Sequence, residues 1–192
     1  MKSVLLSIRP KWCEKILSGE KIIEVRKFAP KEVPFKCFIY ATKKEYLQCM
    51  FRKGEYIFSD DHSKGKFDEN IFVKNRLDWQ GKVIGEFICD KVDEIVSECR
   101  LGYSIYSSLR DTCLTVKEIQ DYGKGKTLYG WHISDLKIYD KPRELSEFIK
   151  PCPYGDSPCQ VCEYYSDYSG ECRNIITRQP QSWMYVEEIE TR

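Results

Sequence analysis

Lys21, Glu24 and Arg26 follow Gly19 closely and bring two cations and a carboxylate onto one short stretch of chain. Lysine and arginine can bind a phosphate or a base edge, while a carboxylate between them orients one cation or accepts from an exocyclic amine. Arg9, just upstream, adds a third cation on the same side of the sequence. Strict strand alternation puts Lys21 on the face opposite Glu24 and Arg26, so a shared cleft requires Lys21 at a turn or a bulge. The competing interpretation is a surface ion pair that binds nothing. His132, beside Trp131, is a further titratable group, although a lone strand histidine is more often a hydrogen-bonded structural residue.

A second group is made of thiols. Cys152, Cys159, Cys162 and Cys172 lie in a Pro- and Gly-containing segment at about 150–173. Two thiolates separated by two residues grip an ion from a tight turn, and two more complete a tetrahedral Cys₄ shell at about 2.3 Å. Four thiolates with no open position describe a closed structural site, for which Zn²⁺ leads. Two disulfides, free thiols or an iron–sulfur cluster are the alternatives. Cys13, Cys37, Cys49, Cys89, Cys99 and Cys113 fall mostly in apolar segments, where cysteine behaves as a small packed side chain.

The elements that must position these groups are legible in part. Ser3 to Ile8 reads as a buried strand, and the following segment as a helix with Pro10 at its first position and Gly19 beyond its end. Trp12, Cys13, Ile16 and Leu17 give that helix an apolar face. Lys21 to Lys27 alternates as a strand, with Ile23 and Val25 on one side and Glu24 and Arg26 on the other. Phe35 to Ala41 and Lys82 to Val92 are further strands. A short helix through Leu47 and Phe51 opens an insertion at about 43–80, whose later part, including His62, is polar loop or hairpin. Leu114 to Tyr122 reads as a helix, with Thr115 and Glu118 spaced as a capping box and Gly123 as its stop. Leu128 to Tyr139 is one strand, Pro142 opens a short helix carrying Leu145 and Phe148, and Ser182 to Glu188 is the last strand.

The chain has 192 residues, of which 32% are charged and 14% aromatic, enough large side chains for one core beneath a solvated surface. Strands with a few short helices and no regular alternation argue for a mixed α+β barrel over a doubly wound sheet. We expect a single domain over 1–192. The net charge of +1 is unevenly spread. Met1 to Lys53 carries thirteen Lys and Arg against five Asp and Glu, while the remainder is acidic. Such asymmetry allows a local basic surface facing phosphates. The apolar run from Val4 to Ile8 is too short for a signal-peptide core or membrane helix, and the aliphatic strand patterns do not suit a secreted disulfide scaffold. A cytoplasmic protein with reduced thiols, and no membrane partner, is the expectation.

The stretch Leu6 to Arg26, with Gly19, Lys21, Glu24 and Arg26 in a Gly-x-Lys-x-x-Glu-x-Arg pattern, resembles the start of the ASCH domain, a branch of the PUA-like superfamily. Gly85 with Glu86, the run from Trp131 to Pro142, and Gln181 through Tyr185 look like bacterial and phage members, in which a four-cysteine segment often precedes the last strand. The resemblance implies an α+β, PUA-like small β-barrel with flanking short helices and a C-terminal zinc loop. It also implies a cleft beside the first helix that takes single-stranded RNA or a modified nucleotide, here with Arg9, Lys21, Glu24 and Arg26 as binding residues.

One related branch removes acetyl from N4-acetylcytidine with a lysine, a threonine three positions on and a glutamate. Lys21 matches that lysine, but Glu24 stands at the threonine position and cannot act as the same hydroxyl nucleophile. Some members are ribonucleases, for which Lys21 and Glu24 would be the reacting pair, Glu24 as base and Lys21 or Arg26 stabilising developing charge. Trp12, Tyr40, Trp131 and Trp183 are the aromatics that could stack on an unpaired base. An enzyme acting on RNA or a modified base is therefore the alternative to a binding module. A protein-interaction role rests only on Tyr164, Tyr165 and Tyr168. Nothing in the sequence fixes the oligomeric state.

Overall fold

In β1 (Ser3–Ile8), Val4, Leu6 and Ile8 turn to one side and Leu5 to the other, and all four are buried. A strand that is apolar on both faces belongs inside a sheet rather than at its edge. The computed structural model describes residues 1–43, 50–52, 55–57, 79–95, 105–151 and 174–188. Among these, β1 is central in a six-stranded mixed sheet. The other strands are β3 (Phe35–Ala41), β6 (Val83–Cys89), β9 (Ser134–Arg143), β10 (Phe148–Ile149) and β11 (Trp183–Glu188), in the order β10-β11-β1-β3-β6-β9. β1 and β3 run parallel, joined through helix α1 (Pro10–Leu17) and strand β2 (Ile23–Arg26), and the remaining pairs in this sheet are antiparallel. The sheet forms a half-barrel.

A three-stranded sheet, ordered β2-β8-β7, supplies β8 (Leu128–His132) and β7 (Val92–Ile95). The barrel core lies between the sheets and α1. Val4, Leu6, Ile8, Cys13, Ile16, Phe35, Cys37, Ile39, Phe87 and Trp131 meet there. Trp131 is held edge-on by Phe35 and Trp183, with ring centroids 5.1 and 5.7 Å away. On the outer face of the large sheet, Leu5, Phe38, Tyr40 and Val83 pack with Phe148, Ile176 and Val186. Helices α2 (Ile105–Thr112) and α3 (Val116–Gly123) lie on the far side of the small sheet, where Val25, Ile95, Ile119 and Leu128 form a third cluster. This is the α+β architecture expected of a PUA-like barrel.

Several expectations need correction. The stretch Leu128 to Tyr139 is not one strand. The chain passes from β8 in the small sheet to β9 in the large one at Ile133, and Asp135 adopts φ +47°, a left-handed conformation that aspartate tolerates. Pro142 does not open a helix. It lies within β9, an edge strand, where its missing N–H leaves no ladder bond unmade. Only a 3₁₀ turn follows at Leu145–Glu147, and Phe148 begins β10. The strand expected over Lys82 to Val92 ends at Cys89, with β7 separate from it. Phe51 lies on strand β4 (Met50–Arg52), which pairs with β5 (Glu55–Ile57), rather than on a helix. Leu47, His62 and most of the 43–80 insertion fall outside the described residues, as do Tyr164, Tyr165 and Tyr168.

Candidate functional site

The turn between α1 and β2 decides where Lys21 sits. Gly19 takes φ +75°, a conformation costly for any residue with a Cβ, and reverses the chain after α1. The Lys21 backbone N–H then donates to Lys15 O at 2.9 Å, and that of Ile22 to Asp111 O at 3.0 Å. Lys21 thus precedes the strand instead of alternating with it. On β2 itself, Val25 turns toward α3, while Glu24 and Arg26 oppose Trp131 and Tyr129 of β8 and share their face. Lys21 and Glu24 are 2% and 5% exposed.

The buried charges form a network. The Lys21 ammonium donates to Thr112 O at 2.7 Å and Ile23 O at 2.9 Å, and pairs with Glu24 Oε2 at 3.2 Å. Glu24 Oε1 takes Arg26 Nη2 at 2.8 Å, and the same nitrogen donates to Ser7 O at 2.7 Å. Ser7 in turn donates its hydroxyl to Pro180 O at 2.7 Å and its N–H to Ser182 O at 2.9 Å. A continuous polar chain therefore runs from the end of α2, through β2 and β1, to the segment before β11. Burial of these charges is tolerable because each is ion-paired and both cations also donate to backbone carbonyls.

Above this network lies a cleft of about 470 Å³. Lys21, Glu24 and Arg26 form its floor with Ser7 and Thr42. Arg9 and Trp12 enter from α1, Leu114, Glu118 and Tyr122 from α3 and the residue before its cap, and Gln179 to Ser182 from the last connection. Arg9 is exposed and makes no ion pair among the described residues. Lys11 and Lys21 stand 4.6 and 5.2 Å from the Trp12 ring centroid, and Lys27 4.9 Å from that of Tyr122. The α3 wall is held by the expected capping box. Thr115 Oγ1 accepts from the Glu118 N–H at 3.2 Å, and Glu118 Oε2 accepts from the Thr115 N–H at 2.8 Å. Its stop is one residue later than expected, Lys124 at φ +50°.

Of the residues singled out in the sequence, Arg9, Lys21, Glu24 and Arg26 are brought to one cleft. Of the proposed stacking aromatics, Trp12 lines it, whereas Tyr40 is buried on the outer face of the large sheet, Trp131 of the small sheet is buried in the barrel core and Trp183 packs on that core. His132 is elsewhere, its Nε2 2.7 Å from Asp93 Oδ2. Burial raises the Asp93 pKa, but hydrogen bonds from Lys91 and His132 outweigh it and leave that carboxyl below its ordinary value. Tyr122, Thr42 and Ser7 were not foreseen as cleft residues. For Tyr122 the capping box was the available signal, since it fixes which residues follow on the helix. Cys152, Cys159, Cys162 and Cys172 lie outside the described residues. The two ends of their segment are joined: Lys150 N–H donates to Asn174 O at 3.0 Å and Ile176 N–H to Phe148 O at 2.9 Å.

No family model matches this chain, and no curated protein does. Solved structures do match. ASCH from Zymomonas mobilis is 16% identical, with 97% of this chain and 88% of that chain covered and a TM-score of 0.48. Two point-mutant forms of that protein, each 15% identical over 97% of this chain, cover 91% and 89% of their own length at TM-scores of 0.46 and 0.51. The likeness at 0.51 shows that the chain has the ASCH fold.

Proposed function

We propose that this ASCH-fold chain is a binding module for single-stranded RNA or a modified nucleotide, taken into the cleft between α1 and α3. The observation that carries the proposal is the composition of that cleft. A buried floor of two cations and one carboxylate nets one positive charge, exposed Arg9 stands at the rim, and the Trp12 and Tyr122 rings line the walls. Phosphate attraction plus base stacking is the combination that single-stranded nucleic acid requires. Both Glu24 oxygens are engaged by cations, which favours binding over use of Glu24 as a general base. A cytoplasmic, reducing setting fits Cys13, Cys37, Cys89 and Cys113, none of which is in a disulfide among the described residues. Among the described residues no helix is long and apolar enough to cross a membrane.

The test is a titration of short single-stranded RNA, single-stranded DNA and modified nucleosides over a salt series. Binding should be salt-sensitive, and Arg9→Gln, on an exposed side chain, should lower the logarithmic salt slope by about 0.7 with the fold intact. Retention of the full slope by Arg9→Gln would remove that residue from the cleft, and absence of binding to every ligand would end the nucleic-acid proposal.

We further propose that Cys152, Cys159, Cys162 and Cys172 hold a structural Zn²⁺. The donor set suits the ion, four thiolates including a pair two residues apart. The hydrogen bonds joining Phe148 and Lys150 to Ile176 and Asn174 support this, because a loop whose ends already meet gives up less entropy when its ligands converge.

A further inference from the structure

We infer that Arg26 and Thr42 are the ligand-contacting pair at the cleft floor, taking an oxygen acceptor of the nucleotide, and that Lys21 is a positioning residue that does not touch ligand. The inference rests on the nucleic-acid proposal and assigns roles within the same cleft.

A lysine ammonium has three N–H donors and no more. Lys21 donates to Thr112 O and Ile23 O, its ammonium is ion-paired with Glu24 Oε2 at 3.2 Å, and its side chain is 2% exposed. Its remaining neighbour, the Trp12 face, is a cation–π contact. To bind a phosphate, Lys21 would have to abandon a backbone carbonyl or uncouple from a buried carboxylate, each a costly exchange in a low-dielectric site. What it does in place is join the end of α2 to β2 and hold Glu24, which holds Arg26.

The unspent capacity lies elsewhere on the floor. Arg26 uses Nη2 twice, but its Nε is buried without a hydrogen-bond partner among the described residues, and so is Thr42 Oγ1. Both residues line the cleft. Thr42 is not free to wander, because its N–H donates to Ile8 O at 2.9 Å at the end of the β1–β3 pairing. Two unmet polar atoms beneath one floor are expensive, and a ligand whose entry turns these side chains into the cleft relieves them by supplying what they lack. Arg26 Nε–H can only donate, and a threonine hydroxyl can donate as well, so the shared complement is an oxygen acceptor. The net positive charge of the triad favours a phosphate oxygen, and a base carbonyl presents the same acceptor.

The experiment measures binding of a short single-stranded uridine oligonucleotide to wild type, Thr42→Val and Lys21→Met over a salt series. It is joined by amine-reactive footprinting of lysines and by the NMR signal of Arg26 Nε–H during titration with uridine and with ribose 5-phosphate. Thr42→Val should weaken binding about three- to tenfold while unfolding no more readily than wild type, since the deleted hydroxyl had no partner. Lys21→Met should weaken binding yet keep the wild-type salt slope, whereas a phosphate-contacting lysine would take about 0.7 from it. In the wild-type protein Lys21 should resist labelling that modifies exposed Lys31. A shift of the Arg26 signal with ribose 5-phosphate identifies a phosphate oxygen, and one with uridine alone a base carbonyl.

Unchanged affinity in Thr42→Val, a reduced slope in Lys21→Met, or labelling of Lys21 at the rate of Lys31 would each overturn the inference while RNA binding stood. An Arg26 signal that answers the small ligands in a protein that binds no RNA would sustain the pair and end the RNA proposal. No response to any ligand would end both. Should Lys21→Met fail to fold, the footprinting and Thr42→Val decide.

Discussion

Glu24 separates two buried cations, Lys21 at 3.2 Å and Arg26 at 2.8 Å, and its charge is what allows them to share one site. Removing that charge without removing the side chain leaves two like charges facing each other away from water. Glu24→Gln should therefore cost about 3–5 kcal/mol in urea unfolding, far more than an exposed ion pair such as Lys2–Glu32 could contribute. The thiols give a pH prediction. Burial raises Cys37 well above its ordinary range and pushes Cys89 up to about 12, in each case with smaller effects from neighbouring groups. Both are neutral in the folded protein near pH 8, while the unfolded chain ionises its cysteines at about 8.5. The stability they lend is thus complete below that value and is lost as pH rises toward 12. Native alkylation at pH 8 should modify half-exposed Cys113 and spare Cys13, Cys37 and Cys89 among the described thiols, and Cys89→Ala should flatten the alkaline fall in unfolding free energy.

At the scale of elements, the cleft is as stable as its weaker wall. α3 is eight residues long, too short to persist by propensity, and depends on its capping box and on Ile119 packed against Val25 and Leu128. Thr115→Ala removes the hydrogen bond from the Glu118 N–H and the hydroxyl's own bond to Glu118 Oε2, keeps the one from the Thr115 N–H to Glu118, and should cost about 1 kcal/mol in thermal or urea unfolding. Because Glu118 and Tyr122 reach the cleft from this helix, the same variant should weaken nucleotide binding although Thr115 does not line the cleft. Equal affinity would mean that α3 is not a working wall. On the opposite side, α1 needs no side-chain cap, since Pro10 supplies the fixed φ of a first helical residue and Arg9 remains exposed at the N-cap.

At the scale of the whole molecule, the polar chain from Thr112 O to Pro180 O ties α2, β2, β1 and the last connection into one floor. The proposed zinc loop enters at Phe148 and leaves at Ile176, and both side chains are buried in the cluster that covers the outer face of the large sheet. If the cysteines hold zinc, the purified protein should contain one equivalent per chain. Chelation should then lower the unfolding temperature and release zinc, and Cys159→Ser should do the same. A metal-free protein of unchanged stability would reject the site.

Local rules settled what local sequence can settle. Short runs of apolar, aromatic and β-branched residues placed β1, β3 and β11, Pro10 and Gly19 bounded α1, and Thr115 with Glu118 marked α3, because strand propensity and caps depend on near neighbours. The spacing of Gly19, Lys21, Glu24 and Arg26 located the charges and implied that Lys21 had to leave the strand alternation. Tertiary structure decided the rest. α2 carried no cap or periodicity that singled it out, and the run from Leu128 to Pro142 was apportioned between two sheets by pairing with β2 and β6, partners more than forty residues away in sequence. Only the fold brought Ser7, Thr42, Tyr122 and Pro180 to one cleft. It also engaged Lys21 with two backbone carbonyls and a buried carboxylate, since the partners of a buried cation depend on which acceptors arrive in space.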